Sequence, residues 1–272
     1  MSEATLAALR AAAARGPAIV ALLETVSGST PREVGAWMIV TADGALGTIG
    51  GGEAERRTIE AARQLLAGGG APQRLALPLG PALDQCCGGH MTVALAIAPE
   101  VAAAATDDAL ALWPGGPAIR DRPLAPVVVY GAGHVGCALV TALSPLPFAL
   151  TFVDARAEAL WPVAAPVPCH RLALPETAAA AAPDDAIHLV MTHSHAVDLE
   201  IVAAVLARPF RFCGLIGSAT KRATFERRLR ERGLDTARLT CPIGLPAIAG
   251  KAPAVIAASV AAQLLALAQQ PG

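Results

Sequence analysis

The chain has 272 residues, 54% of them hydrophobic and 16% charged, with a net charge of -1. That is enough apolar material for two packed cores and excludes a disordered chain. The near-zero charge excludes a globally basic nucleic-acid binder, and no apolar run free of Gly, Pro and charge reaches the roughly 18 residues of a membrane span.

In the first half, Thr5–Arg15 reads as an alanine-rich helix stopped by Gly16-Pro17. Ala18–Val26 follows as a continuous apolar strand, then the polar turn Ser27-Gly28-Ser29-Thr30-Pro31-Arg32. Asp43-Gly44 between Gly35–Thr41 and Ala45–Ile49 signals a hairpin. Gly50-Gly51-Gly52 closes it, and Glu53–Leu66 has helical spacing. Backbone donors and a positive helix end meet at these glycines, so two readings stand open: a plain tight turn, or an anion seat served by Arg32. Strands at Gln73–Leu79 and Met91–Ile97 flank a loop holding Cys86-Cys87-Gly88-Gly89. Its thiols are either buried and inert or chemically active. Val101–Leu112 is weakly helical, and the Pro- and Gly-rich stretch after it marks a linker. The expected division is therefore 1–113, a linker at 114–125, and 126–272.

The second half alternates strand and helix. Pro126–Tyr130 leads into Gly131-x-Gly133-His134-x-Gly136 and a helix through Leu143. The next strand, Ala149–Val153, ends at Asp154, at the spacing of a dinucleotide fingerprint whose acid accepts from a ribose hydroxyl. Strands at Ile187–Met191 and Phe212–Ile216 alternate with helices at Leu199–Ala207 and Lys221–Arg232, and a last helix covers Ala254–Leu267. This is a parallel βαβ series, and its strand ends carry Thr192-His193-Ser194-His195 and Gly217-Ser218. His193 and His195 lack a clear third metal ligand, so satisfied or surface histidines are the alternative. Gly217, Ser218 and Lys221 resemble a phosphate seat, and Lys251 stands at the start of the last helix. The arginines from Arg222 to Arg232 are interrupted by Glu226 and Glu231 and read as a solvated face.

The six cysteines, the remaining four being Cys137, Cys169, Cys213 and Cys241, are too sparse for a secreted disulfide framework, and no CxxC pair suggests structural zinc. Met1-Ser2-Glu3 lacks the basic start of a secretory signal, so a cytoplasmic protein with neither membrane nor nucleic acid as partner is expected.

The segments GSTPREVGAWMIV, GTIGGGEAE, LGPALDQCCGG, VVVYGAGHVG, MTHSHAVDLEI, GLIGSATKRATF and CPIGL, with GKAP after them, run in order along almost the whole chain. Together they resemble the xanthine dehydrogenase accessory proteins, the XdhC/CoxI family. One departure is Ala254-Val255, where the family often carries an acidic residue. The resemblance implies a small N-terminal α+β domain followed by a Rossmann-like parallel α/β domain, and a homodimer. It implies a chaperone rather than an enzyme, one that binds the molybdenum cofactor (Mo-molybdopterin) as cargo, supports its sulfuration and delivers it to a xanthine dehydrogenase apoenzyme or a related hydroxylase. Partners would include a cysteine desulfurase and molybdenum cofactor biosynthesis proteins.

The expected cofactor seat is Arg32, Gly50, Gly51, Gly52, Glu53, Cys86, Cys87, Gly88 and Gly89, with Cys86 or Cys87 touching molybdenum or carrying sulfur. Gly131, Gly133, His134, Gly136, His193, His195, Gly217, Ser218 and Lys221 are expected to complete it across a cleft. The rival reading is an NAD(P)-dependent oxidoreductase built on the glycine fingerprint.

Overall fold

The computed structural model describes residues 11, 16–69, 71–79, 88–98, 101, 110–119 and 124–268. Cys86 and Cys87, most of the expected helix Thr5–Arg15 and most of Val101–Leu112 lie outside them. The chain divides into two compact units, Met1–Arg122 and Pro123–Gly272.

The first unit is a five-stranded antiparallel sheet in the order β3-β2-β1-β5-β4. Its strands are β1 (Ala18–Ser27), β2 (Trp37–Thr41), β3 (Ala45–Gly47), β4 (Gln73–Pro78) and β5 (His90–Ile97). Helix α1 (Gly52–Gly68) ends at Gly69 in the left-handed conformation, φ 59°, the usual glycine stop. Successive residues of β1 point to opposite faces, and both faces are covered. Ile19, Ala21 and Leu23 pack with Ala54, Ala62 and Leu65 of α1. Ala18, Val20 and Leu22 pack on the other side with Val101, Leu112 and Ile119. This two-sided burial explains why β1 reads as an unbroken apolar run rather than an alternating one.

The helix expected over Val101–Leu112 does not hold at its carboxyl end. Leu110–Ala111 (β6) pairs antiparallel with Ala118–Ile119 (β7). The segment Trp113 to Pro117, where the sequence suggests a linker, turns this hairpin: Leu112 N donates to Pro117 O (2.9 Å) and Gly116 N to Trp113 O (2.9 Å). Proline and glycine serve a tight turn as well as a linker, and burying Leu112 and Ile119 favours the turn.

The second unit is a six-stranded parallel sheet in the order β10-β9-β8-β11-β12-β13. The strands are β8 (Ala125–Tyr130), β9 (Phe148–Asp154), β10 (Cys169–Arg171), β11 (Ile187–Val190), β12 (Phe212–Leu215) and β13 (Leu239–Thr240). Numbered within the unit this is 3-2-1-4-5-6, the strand order of dinucleotide-binding folds. Helices α2 (His134–Leu143) and α6 (Pro253–Ala268) pack on one face, where Leu139, Val140, Val260 and Leu264 meet Val127, Val129 and Leu189. Helices α3 (Thr177–Ala181), α4 (His195–Leu206) and α5 (Ala219–Glu231) cover the other, through Ala179, Val202, Val205, Phe225 and Leu229. Tyr130 Oη and His188 Nδ1 lie 2.9 Å apart inside this core. Burial, with Arg208 adding to it, lowers His188 to about 4, which keeps the ring neutral.

In the second unit β10, α3, β13 and a single 3-10 turn at Glu158–Leu160 have no counterpart in the sequence expectation, since two to five residues carry too little periodicity. Helix α4 also starts earlier than expected. Ser194 caps it, its hydroxyl accepting from Val197 N at 3.5 Å, which puts His195 in the first turn rather than in a loop. Among the described residues, no helix is long and apolar enough to cross a membrane.

Candidate functional site

Within the first unit the polar turn, the triple glycine and the Gly88-Gly89 pair meet. Ser29 and Gly88 form an isolated parallel bridge. A Cβ on Gly28 would stand 3.1 Å from Gly89 Cα, and one on Gly89 would overlap the carbonyl oxygens of Ser29 and Ser27. Gly50, at φ 126°, lies so close to Pro31 that a Cβ would stand 2.5 Å from its ring. No Cβ fits against the Pro31 ring at 50 or the Ser27 and Ser29 carbonyls at 89, which is the physical reason for glycine at both positions. Gly51 and Gly88, in contrast, have no atom within 4 Å of where a Cβ would project.

The expectation of open donors at the triple glycine is corrected by Glu55. Its Oε2 accepts from Ile49 N (3.1 Å), Gly51 N (3.1 Å) and Thr48 Oγ1 (2.5 Å), while Gly50 N donates to Thr48 Oγ1 (3.0 Å). Burial pushes the Glu55 carboxyl up, but these donors outweigh it and hold it below the usual carboxylate range. A carboxylate one turn into a helix reaches back over the helix start much as a capping box does. The chain's own anion therefore sits where an external one was expected. Glu53 faces elsewhere: its carboxylate pairs with Arg56 (2.6 Å) and Arg57 (2.9 Å), which lower it to about 2. Arg32 pairs with its neighbour Glu33 at 3.2 Å and remains 38% exposed.

In the second unit the candidates gather at the carboxyl ends of β8, β11 and β12. Gly131, at φ 109°, sits against the backbone of Met191 and Thr192, a Cβ there standing 2.8 Å from Thr192 Cα. A Cβ on Gly136 would overlap the Gly131 carbonyl oxygen, so α2 closes tightly on the turn. Gly133 is the N-cap of α2 and opens to free space. Asp154 does not wait for a ribose. It is 1% exposed and accepts from Ala132 N (2.6 Å), Arg156 N (2.7 Å) and the Arg156 guanidinium (2.8 and 3.0 Å). Burial raises its carboxyl, and Arg156 more than reverses that.

Lys221 is likewise committed internally. Its Nζ donates to Asp198 Oδ2 (2.7 Å) and to Ile216 O (2.9 Å), and lies 5.3 Å from the centre of the Phe225 ring. Asp198, fully buried, also accepts from Thr192 N (2.9 Å) and Thr192 Oγ1 (2.7 Å). This bridge clamps the loop after β11 to the loop after β12. The expected phosphate lysine is thus a structural cation, because a buried carboxylate 23 residues away captures it. His195 meets Phe225 edge-on with ring centres 6.4 Å apart, and His193 is exposed. Ser218 caps α5, its hydroxyl accepting from Lys221 N at 3.3 Å, and Gly217 leaves room for the Lys221 stem. Among the described residues no group of His, Cys, Asp and Glu is arranged to hold a metal ion.

Thiol chemistry is discouraged in this unit. Burial pushes Cys213 and Cys169 up to about 12 and raises Cys137 and Cys241. Such thiols carry almost no thiolate at neutral pH. Sequence reasoning missed Glu55, Arg156 and Asp198. The available signals were the acid four residues after Gly51, the arginine two after Asp154, and an acid in the first turn after Ser194.

Comparison with known proteins agrees with this architecture. The family model for the XdhC Rossmann domain matches residues 127–264, and that for the XdhC and CoxI family matches residues 11–76. The chain is 32% identical over 263 residues to the protein YqeB of Escherichia coli (strain K12), covering 92% of this chain and 43% of YqeB, so it spans less than half of that relative. A solved Bacillus halodurans protein described as a xanthine dehydrogenase shares the fold, with a TM-score of 0.76, 22% identity, and coverage of 99% of this chain and 96% of that one. With the two family models falling in order on its two units, the chain belongs to the XdhC and CoxI family.

Proposed function

We propose that this protein is an accessory factor that binds the molybdenum cofactor, protects it, supports its sulfuration and delivers it to xanthine dehydrogenase or a related molybdenum hydroxylase. The observation that carries the reading is the meeting of Gly28–Arg32, Gly50 and Gly88-Gly89 around one point of the first unit. Bare backbone there leaves room for a flat ligand beside Gly51 and Gly88. The cofactor's phosphate takes the amides of Ile49 and Gly51 by displacing Glu55, and Arg32 adds positive charge. Cys86 and Cys87 directly precede Gly88 in the chain and are the proposed sulfur or molybdenum contacts, since a soft metal–sulfur centre suits thiolates. A cysteine desulfurase is the proposed sulfur source, cofactor-synthesis proteins the upstream donors, and a homodimer the acting form.

An NAD(P)-dependent oxidoreductase is the competing reading, favoured by the strand order of the second unit. Against it stands Asp154, whose acceptor positions are taken by Ala132 and Arg156. Protein purified from cells that make the cofactor should carry molybdopterin and molybdenum, and a Cys86→Ala/Cys87→Ala double variant should fold but lose most of both. Equal molybdopterin in the two proteins would sink the thiol assignment. Tight NADH binding with hydride transfer, in protein free of molybdopterin, would favour the oxidoreductase.

A further inference from the structure

The second unit contains a cavity of about 850 Å³, most of whose lining lies apart from the expected cofactor residues. It lies beyond the carboxyl ends of β12 and β13, where ligands bind in open α/β sheets. Three segments that carry the family resemblance line it: Ile216-Gly217-Ser218, Cys241 to Leu245, and Gly250-Lys251. Two of these, Cys241 to Leu245 and Gly250-Lys251, lie outside the proposed cofactor seat.

The chemistry of the walls is specific. Arg222 and Lys251 are the charged side chains in the lining, and no acidic residue joins them among the described residues. Arg222 gives Nε to Glu226 (2.7 Å) and Nη1 to Cys241 O (3.3 Å), which leaves the rest of its fork for a ligand. Ser218, Thr240, Gly217 and Gly244 are among the small or polar positions of the lining. Most of the remaining wall is aliphatic, including Leu239, Ile243, Leu245 and Ile256. That wall is braced from α6: Gly244 N donates to Gln263 Oε1 (2.8 Å) and Leu245 N to Ser259 Oγ (2.8 Å). Gly244, at φ 97°, packs against the Ser259 side chain. The cavity is thus shaped before any ligand arrives, and its volume falls in the range of small-molecule sites.

Lys251 and the part of the Arg222 fork that Glu226 leaves unused, beside an aliphatic wall, match a phosphate carried on an apolar body. We infer that this cavity binds a phosphate ester of a flat heterocycle, its phosphate between Arg222 and Lys251 and its ring among the aliphatic side chains. Such an ester has two sources: a free nucleotide, or the cargo, whose single phosphate then sits here in place of the Ile49 and Gly51 amides. The site itself is read from the second unit alone and does not rest on the cofactor reading.

The test uses full-length protein and the exposed substitution Lys251→Glu, with Arg222→Gln as a second variant checked by circular dichroism. In one arm AMP, CMP, GMP and inorganic phosphate are titrated calorimetrically into cofactor-free protein. In the other, retained molybdopterin is compared between the wild type and Lys251→Glu, purified from cofactor-making cells. Nucleotide binding at least tenfold tighter than inorganic phosphate, weakened at least tenfold by Lys251→Glu and by salt, supports the site with free nucleotide as its ligand. Molybdopterin lowered severalfold by Lys251→Glu, without nucleotide binding, supports it with the cargo as source. No binding in either arm, or binding indifferent to Lys251→Glu, overturns it. A wild type without molybdopterin defeats the cofactor reading while the first arm still decides the cavity.

Discussion

Two glycine turns, one in each unit, follow the same local grammar and end differently. Both close a strand and open a helix, and in both a carboxylate of the chain takes a turn amide. At Gly50-Gly51-Gly52 the acid is Glu55, from the first turns of the helix that the glycines start, and it is only half-buried. At the Gly131 turn the acid is Asp154, from the neighbouring strand, buried and locked to Arg156. Removing Glu55 frees donors near the surface, whereas removing Asp154 strands a guanidinium that is 21% exposed. The first turn is therefore the easier of the two to open and the second the more firmly closed. A protein that takes up and releases an anionic cargo needs the first kind.

The largest effect expected from this contrast is on stability. Asp154→Ala should cost about 3–5 kcal/mol in urea unfolding, the usual range for breaking a buried pair. Glu55→Ala should cost about 1 kcal/mol, the range of a lost helix cap. Equal losses would erase the distinction. Next comes close packing: Gly89→Ala should cost about 1–3 kcal/mol, because the new methyl overlaps Ser29 and Ser27. Gly133→Ala opens to free space but replaces an N-cap glycine, so it should cost no more than about 1 kcal/mol.

Acid titration sharpens the comparison further. Asp154 is held below its ordinary 3.8 in the folded state. Its contribution is thus full above about pH 4 and lost as pH falls through the lowered value. Asp154→Asn should flatten that part of the urea midpoint's decline with falling pH, measured from about pH 5 downward; an unchanged slope would show that Asp154 is not the titrating group. The gentlest probe concerns function. Glu55→Gln removes the competing anion, so cofactor retention should rise, and a drop in bound molybdopterin would count against displacement at this turn.

Much of this fold is legible in the sequence because apolar periodicity and glycine spacing are local. The run Ala18 to Leu23, the hairpin at Asp43-Gly44 and the fingerprint at Gly131 each announce an element without reference to the rest. The polar interior is not local. Lys221 follows a glycine-serine turn and resembles a phosphate ligand until Asp198 is brought beside it. Arg32 and Gly50 read as partners and do lie together, yet nothing in their spacing shows that Glu55 already occupies the amides. Periodicity says which face is buried, not which buried charges find each other.

The hydrogen bond from Leu79 N to Gly89 O, 2.7 Å long, has a consequence for the thiols. Together with the Ser29–Gly88 bridge it fixes both ends of the segment that carries Cys86 and Cys87. Joining the ends of a free segment of this length costs roughly 2 kcal/mol of chain entropy, plus a constant. The fold meets that cost before any ligand arrives. At the proposed thiol contacts, binding energy would then go into holding the ligand rather than into bringing the ends of that segment together.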